Sequence, residues 1–374
     1  MPIEDEIVVL RVQPVISVGP PRVEFQREWD AVPLSRRSPM QHHIWPKACF
    51  EAIYADADAV YFKVETSAGL VAAAAFARQG RLLPRLHLAG AEVICEPVDV
   101  LCRDQKAAEA LAEMLVNAEL PIRFGHFPVE SPLLPALVSR ARRHGTVLRA
   151  PVPGSPVIRL SKGWREPESM LNPRRRSDLR RMRRKAEQSG EVAFQSLAPT
   201  AVEAEPALDA AIEVEARNWK ARSGTALSQN RQQAAFYRCY CRLAAAEGFL
   251  RVCFLRIDGD IIAMQIAVEC DGAFWLLKIG YDERFAFCSP GNLLMLESVR
   301  HAAGRGLRSF EFLGKAASWT RMWTEEERPN TRLRYYPHNR LGYAALADDA
   351  ITAASRRART AIDGLRHDRS GGER

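Results

Sequence analysis

Apolar and polar residues alternate along this chain in two rhythms, and the order in which those rhythms change predicts its elements. "WPKACFEAIYA" reads as a helix with Pro46 near its start. "AVYFKVET", "GLVAAAAFAR" and "LLPRLHLAG" follow as three strand-like runs separated by turn-like pieces, and "VDVLC" extends the same sheet. "DQKAAEALAEMLVNA" carries Ala, Leu and Met at helical spacing, with Asp104 placed to cap it. "PIRFGHF" is a strand, "SPLLPALVSRARRHG" a helix closed by Gly145, and "TVLRAPV" and "PVIRL" two short strands. Residues 1–40 read as irregular, broken by "VGPPRVEF" and "SRRSPM".

The same order of elements then recurs without a close sequence repeat. "EVAFQSL" predicts a strand, and "VEAEPALDAAIEVEARNWKAR" and "NRQQAAFYRCYCRLAAAEG" predict two helices. "FLRVCFLRI", "IIAMQIAVEC" and "GAFWLLKIGY" are three strands joined by "DGD" and "DG" turns, a hairpin signal. "SPGNLLMLESVRHAAGRG" is a helix, "RSFEFLG" a strand, and "RLRYYPH" another after a Trp-containing connector. The helix between the meander and "RSFEFLG" makes a parallel crossover. The expectation is an α/β protein with a mixed sheet in each of two lobes. Its segments are 1–160 for the first lobe, 161–190 for a basic linker helix, 191–345 for the second lobe, and 346–374 for a C-terminal helix and polar tail.

Composition agrees with two packed cores: 374 residues, 47% hydrophobic and 26% charged. The net charge of +8 favours anionic partners, and it is concentrated in "LNPRRRSDLRRMRRKAEQSG" and the C-terminal tail. The N-terminus carries acids where a signal peptide needs a basic start, and no run approaches the roughly 20 apolar residues of a membrane span. The expectation is a soluble protein of the cytoplasm. None of the eight cysteines forms a C-x-x-C pair, so they read as buried reduced thiols. His42-His43 has no partner at ligand spacing and reads as surface, and no metal is suggested.

The segment "GAFWLLKIGYDERFAFCSPGNLLMLESVRHAAGRGLRSFEFLG" carries the candidate chemistry. Its strand ends at Tyr281, its loop ends in Ser289-Pro290-Gly291, and its helix opens at Asn292. A glycine at a helix start admits a phosphate close to free N–H groups and the positive end of the helix dipole. On residue types alone, a plain helix start capped by Ser289, with Pro290 in the first turn, accounts for it better.

The phrases "RNWKARSG", "KIGYDERFAFCSPGNLLM", "GLRSFEFLG" and "SWTRMW", with the element order around them, resemble the GNAT acyltransferase superfamily. Within it they resemble the cellulose-biosynthesis CelD/BcsL branch, related to the FemAB aminoacyltransferases. The resemblance covers about residues 165–345. In 45–160 it is confined to the outline of a degenerate first lobe. It implies two tandem GNAT-like lobes and acyl transfer from a thioester, most simply acetyl-CoA, to an amine or hydroxyl. The acceptor class it implies is a sugar or glycan precursor of exopolysaccharide biosynthesis, with an anionic acceptor in keeping with the charge. The backbone of Leu276, Leu277, Lys278 and Ile279 would hold the pantetheine arm. The turn from Phe287 through Ser289, Gly291, Asn292 and Leu293 would cradle the pyrophosphate. One departure stands out. With Gly291 matched to the last position of the superfamily's Gln/Arg-x-x-Gly-x-Gly/Ala signature, Ser289 takes the middle glycine and Ala286 the first residue. Two alternatives follow: an aminoacyl-tRNA donor by the FemAB kinship, and a non-catalytic CoA-binding protein.

Acyl transfer requires a base for the acceptor, stabilisation of the developing oxyanion, and departure of the thiolate. Glu311, Asp282 and Glu215 are the candidate bases, and Tyr281 the candidate acid. Each has a plainer account: Glu311 facing solvent or a loop cap, Asp282 turning the chain, Glu215 pairing on an exposed helix, Tyr281 filling core. Gln265 and Lys278 interrupt apolar strands, and either lines a cleft or lies on the outer face of the sheet. Lys315, Trp319 and Arg321 would line an acceptor pocket, while Trp323 reads as core. The arginine-rich stretch predicts a helix capped by Asn172, started by Pro173 and ended by Gly190. Its stripe of Leu179, Met182 and Ala186 marks a docked face. It reads as the hinge between the lobes. No aromatic interleaving or known nucleic-acid module accompanies its charge, so tRNA is the one nucleic-acid partner left in view.

Overall fold

The computed structural model describes residues 15–17, 23–217 and 230–371. The first half contains β1 (Val15–Ser17), α1 (Val23–Ala31), α2 (Ile44–Ala52), β2 (Asp58–Thr66), β3 (Gly69–Gln79), β4 (Arg85–Leu88), β5 (Leu101–Cys102), α3 (Gln105–Asn117), β6 (Ile122–Arg123), β7 (Phe127–Pro128), α4 (Leu133–Ala141) and β8 (Gly145–Arg159). After α5 (Pro167–Met170) and the basic helix α6 (Pro173–Glu187) come β9 (Val192–Leu197), α7 (Ala204–Ala216), α8 (Arg231–Ala246), β10 (Leu250–Ile257), β11 (Asp260–Cys270) and β12 (Ala273–Tyr281). The chain continues through α9 (Pro290–Gly304), β13 (Ser309–Glu311), β14 (Glu327–Pro337) and α10 (Arg340–Gly371). The motif "RNWKARSG" and the predicted end of its helix lie, past Arg217, outside the described residues.

Each half carries an antiparallel meander followed by a helical crossover to a parallel strand: β4 to β6 in the first, β12 to β13 in the second. The two halves share one sheet, in the order β1-β2-β3-β4-β6-β14-β8-β13-β12-β11-β10-β9. They are interlaced by an exchange of strands. β8 leaves the first half and pairs its last residues, Val157 to Arg159, with β13. β14 returns from the second half and pairs Arg334 and Tyr335 with Arg123 and Ile122 of β6. Between these ends β8 and β14 pair with each other from Gly145–Pro337 to Pro156–Glu327.

Three readings are corrected here. "TVLRAPV" and "PVIRL" form the single strand β8, because Pro153-Gly154 is absorbed in a bulge opposite Pro329 that bends the ladder without ending it. Residues 1–40 contain α1, whose Phe25 and Trp29 stand one turn apart and pack edge-on against each other and Tyr61. His42 and His43 are not on the surface: they sit beside Asp30, with His43 Nδ1 2.6 Å from its Oδ2.

Two cores flank the sheet. One is continuous through both halves and joins them where Trp45 of α2 packs 4.9 Å from the Phe236 ring and 5.3 Å from the Tyr240 ring of α8. The other lies between the second half's strands and α9, with Phe274 stacked on Phe310 at 4.9 Å. α10 is tied to the first half through buried Asp349, which meets Arg85, Arg123, Arg334 and Tyr336.

Candidate active site

The sheet opens at one place in the second half. β12 and β13 run parallel but pair only from Ala273–Ser309 to Trp275–Glu311. β13 ends there, while β12 continues to Tyr281. On its other side β12 pairs with β11 through a bulge, Ile266 opposite Lys278 and Ala267 opposite Leu276. The bulge at Leu277 puts two consecutive side chains on the same face. Leu277 joins the core shared with α8, and Lys278 Nζ lies 4.8 Å from the centre of the Tyr237 ring. Leu276 and Ile279 point to the α9 face. The open strands therefore separate two differently furnished clefts.

On the α9 face a cleft of about 330 Å³ lies between the end of β12 and the first turns of α9. Ile279, Gly280, Tyr281, Ser289, Gly291 and Asn292 line it, with Trp319 on the far side. The turn that builds it is local. Asp282 accepts the backbone N–H of Arg284, a short 3-10 helix spans Glu283–Cys288, and Ser289 reverses the chain at φ +49°. A left-handed serine costs about 1 kcal/mol or more, a strain that persists where the surroundings fix it. α9 starts at Pro290, two residues earlier than the sequence reading, and Ser289 makes no side-chain capping bond. The positive end of α9 is thus left without a side-chain acceptor. α3, the equivalent helix of the first half, is capped by Asp104, whose carboxylate accepts from Ala107 N at 2.9 Å. That carboxylate occupies the place at the helix start that an anion would otherwise take.

The predicted ligands on this face divide. Gln265 is in the cleft wall, but its Oε1 accepts from Ser298 Oγ at 2.6 Å and it is fully buried. Leu293 is core, and Phe287 is half exposed outside the cleft lining. Trp319 packs edge-on against Phe312 at 5.8 Å. Lys315 and Arg321 are exposed and line neither cleft, and Trp323 is buried as expected.

Asp282 is a poor base in this setting. Its carboxylate is chelated by Arg284, with Nη2 at 2.7 Å, and Arg217 stands at 3.6 Å. The Arg284 hydrogen bond holds its pKa below the ordinary carboxylate value. Glu311 is held in a similar way. It does not face solvent: it is buried on the first-lobe face, bound by Arg36 at 2.9 Å, by Arg328 at 2.8 Å to each oxygen, and by Ser309 at 2.7 Å. With its lone pairs so occupied it is an interlobe tie, strongly unfavourable to break.

The opposite face brings together groups from both halves. Glu215 of α7 is buried, not surface-exposed, and lies so close over β12 that a Cβ on Gly280 would sit 3.0 Å from its Cα. Tyr237 is buried beside Lys278, and its hydroxyl finds no hydrogen-bond partner among the described residues. Glu96 arrives from the first half, in the loop between β4 and β5. Its Oε2 accepts from Gly314 N at 2.8 Å, just beyond β13, while the Lys278 ammonium on β12 lies within electrostatic reach. Glu96 therefore spans the opening between the two strands. Burial pushes its pKa up to about 7, only partly opposed by the Gly314 bond and Lys278. Beside it Pro97, Leu313, Trp275, Glu311, Arg36 and Arg328 border an interlobe cleft of about 350 Å³. Glu96 was not among the sequence candidates. The one signal for it is an isolated acid in the otherwise apolar run "VICEPV".

The basic helix is also re-placed. It is not a hinge between the halves but docks on the second, burying Leu179 and Ala186 against the α9 core. Arg183 pairs with Glu297 of α9. Arg175 donates to the Arg321 carbonyl at 2.8 Å, and Lys185 Nζ lies 3.4 Å from the Phe287 carbonyl. Among the described residues no cluster of His, Cys, Asp or Glu is arranged to hold a metal ion, and no helix is long and apolar enough to cross a membrane.

Residues 173–321 match the family described as an acetyltransferase (GNAT) domain, and the chain is an acyltransferase enzyme. Its structure is similar to that of FemX, with a TM-score of 0.58 and 10% identity over 86% of this chain and 97% of that one. It is also similar to the C-terminal domain of a putative lysylphosphatidylglycerol synthetase from Agrobacterium fabrum, with a TM-score of 0.53 and 12% identity over 88% and 95%. A conserved protein of unknown function from Bacteroides thetaiotaomicron has a TM-score of 0.55 at 10% identity over 86% and 99%. At such identities the likeness is one of fold. No curated protein matches the sequence.

Proposed function

We propose that the second lobe transfers the acyl group of an acyl-CoA, most simply acetyl-CoA, to an amine or hydroxyl acceptor. The observation that carries this reading is the opening between β12 and β13, with a cleft beside an uncapped helix start on one face and Glu96 on the other. The donor lies in the α9-side cleft. Its pantetheine arm follows the backbone of Leu276 to Ile279, and its pyrophosphate meets the start of α9 around Ser289, Gly291 and Asn292.

The acceptor comes through the interlobe cleft and reaches the thioester from the first-lobe side. Glu96 takes the acceptor's proton, a task suited to a carboxylate whose pKa stands near 7. The acceptor's nitrogen or oxygen then bonds to the carbonyl carbon. The charge that develops on the carbonyl oxygen is met by β12 backbone N–H at the bulge. The carbon–sulfur bond breaks, and Tyr281, which lines the donor cleft, supplies a proton to the departing thiolate. Lys278 and Glu215 flank the acceptor's path from the opposite face and order it, Lys278 through its charge toward an anionic acceptor.

In this reading the first lobe, residues 1–160, supplies the base and half the acceptor cleft, and 191–345 binds the donor. The "GYD…SPG…LL" string supports a place in the CelD/BcsL branch, hence a glycan-precursor acceptor of exopolysaccharide synthesis and a cytoplasmic reaction. An aminoacyl-tRNA donor is the second reading, favoured by the structural likeness to FemX and the arginines of α6.

Thiol release from acetyl-CoA across a panel of amino and hydroxyl sugars tests the proposal, with thermal shift by acetyl-CoA and by tRNA in parallel. Stabilisation by acetyl-CoA and acceptor-dependent thiol release are expected. Salt-sensitive tRNA binding with no response to acetyl-CoA would overturn the acyl-CoA reading.

A further inference from the structure

The acyl-CoA reading leaves a chemical deficit. Glycines at a pyrophosphate loop let phosphate oxygens come close to backbone N–H groups. Here Ala286 and Ser289 carry side chains at two signature positions, and the N–H groups of Asn292 and Leu293 already donate to the Ser289 carbonyl, at 3.0 and 3.3 Å. The charge of a polyphosphate needs another partner.

The basic helix stands where that partner would be needed. Its two ends touch the segments that frame the donor cleft. Arg175 is bonded to the carbonyl of Arg321, two residues from the cleft residue Trp319. Lys185 reaches the carbonyl of Phe287, which lies between the cleft residues Ala286 and Ser289. Ten residues of helix separate the two contacts, about 15 Å along the axis, so α6 reaches from the segment that carries Trp319 to the one that carries Ala286 and Ser289, its own side chains outside the cleft lining. On this flank Arg181 precedes Lys185 by one turn, and its exposed pair with Asp178 holds it weakly. The helix is fixed in place. Asn172 caps it, Leu179 and Ala186 are buried beneath it, and Arg183 is paired to Glu297. Arg180 and Arg184 project from other parts of its surface and have no acidic partner among the described residues. Phe287, 50% exposed and tilted against Phe285 at 6.3 Å, offers the free part of an aromatic ring at the Lys185 end.

We propose that α6 is the donor's phosphate clamp: Arg175, Arg181 and Lys185 bind the phosphates of the CoA nucleotide, and Phe287 stacks on its adenine, in place of a glycine-rich cradle. This rests on the acyl-CoA reading and adds to it the residues that recognise the nucleotide end of the donor. The docked helix fixes the backbone from which these guanidinium and ammonium groups reach for phosphate, so binding orders their side chains alone. The excess of arginine in "RRRSDLRRMRRK" then has a specific anion to meet.

Calorimetric titration of the full chain with CoA, dephospho-CoA and pantetheine tests the clamp. The triple variant Arg175→Ala, Arg181→Ala, Lys185→Ala is expected to weaken CoA binding at least tenfold and leave pantetheine binding unchanged. Phe287→Ala weakens CoA several-fold, Lys185→Arg keeps affinity within threefold, and Arg180→Ala with Arg184→Ala changes it by less than threefold. Three results would overturn the clamp while leaving the acyl-CoA reading intact. One is parental CoA affinity in the triple variant. Another is equal weakening by the Arg180 and Arg184 changes. The third is parallel loss of CoA and pantetheine. If the parental protein binds no CoA, the acyl-CoA reading falls, and the clamp with it.

Discussion

Replacing Glu96 by glutamine separates a base from a structural acid, because the two roles predict opposite signs for activity and stability. Burial raises the Glu96 pKa from its ordinary 4.5 to about 7. At 1.36 kcal/mol per pH unit, that difference corresponds to about 3 kcal/mol between the protonation states. Because the folded pKa is the higher one, the associated stability is fully present below about pH 4.5 and is lost as pH rises through 7. The glutamine of Glu96→Gln is nearly isosteric and still offers an oxygen to Gly314 N–H, but it carries no charge at any pH. The variant is therefore expected to match the parent near pH 4.5 and to exceed it by about 3 kcal/mol above pH 8. Its acyl transfer is expected to fall by about 10² to 10⁴, the worth of a positioned general base. The parental rate rises with pH through 7, and the residual rate of the variant loses that dependence. Urea unfolding at pH 4.5 and 8.5, together with thiol-release profiles, reads all of these. An unchanged rate, or a variant less stable than the parent at pH 8.5, refutes the argument.

Other substitutions probe the supports of the site. Gly280→Val forces a side chain into the Glu215 backbone, where even a Cβ would approach to 3.0 Å, and is expected to cost about 1–3 kcal/mol in thermal unfolding and to lower kcat as α7 shifts. Glu311→Gln leaves the part-exposed Arg36 and Arg328 facing a neutral amide, so denaturant unfolding should show a loss of about 1–3 kcal/mol, with the pH optimum of the rate unchanged. Asp282→Asn is expected to keep kcat within threefold, because Arg284 already holds the carboxylate. Its stability loss is present at neutral pH and disappears as pH falls from 3.8 through the depressed folded pKa, since the parent then protonates as well.

The sequence carried the order of elements in both halves because strand alternation, caps and helical stripes are local signals. Asp104 and Asn172 cap the helices expected of them, and Leu179 and Ala186 bury the stripe read from α6. What stayed out of reach was set by distant chain. The strand exchange depends on β8 and β14 meeting across more than 170 residues, and no local pattern in "PVIRL" announces a partner in "RSFEFLG". The site divided in the same way. The β12–loop–α9 segment was visible because strand, loop and helix are consecutive, and Tyr281, Ser289, Gly291 and Asn292 do share one cleft. Glu96 was not, since its proposed role rests on Gly314 and Lys278, which fold onto it from the other half. Glu311 and Asp282 looked available because their arginine partners, Arg36, Arg328 and Arg284, cannot be paired with them from residue types alone.

The most direct test of the account is a crystal structure of the full chain with a non-hydrolysable acetyl-CoA analogue. The pantetheine arm is expected along Leu276–Ile279 and the pyrophosphate at the start of α9. The thioester isostere is expected in the opening between β12 and β13, facing Glu96. Electron density for the analogue in the interlobe cleft, or anywhere away from the stretch between Leu276 and Leu293, would contradict it.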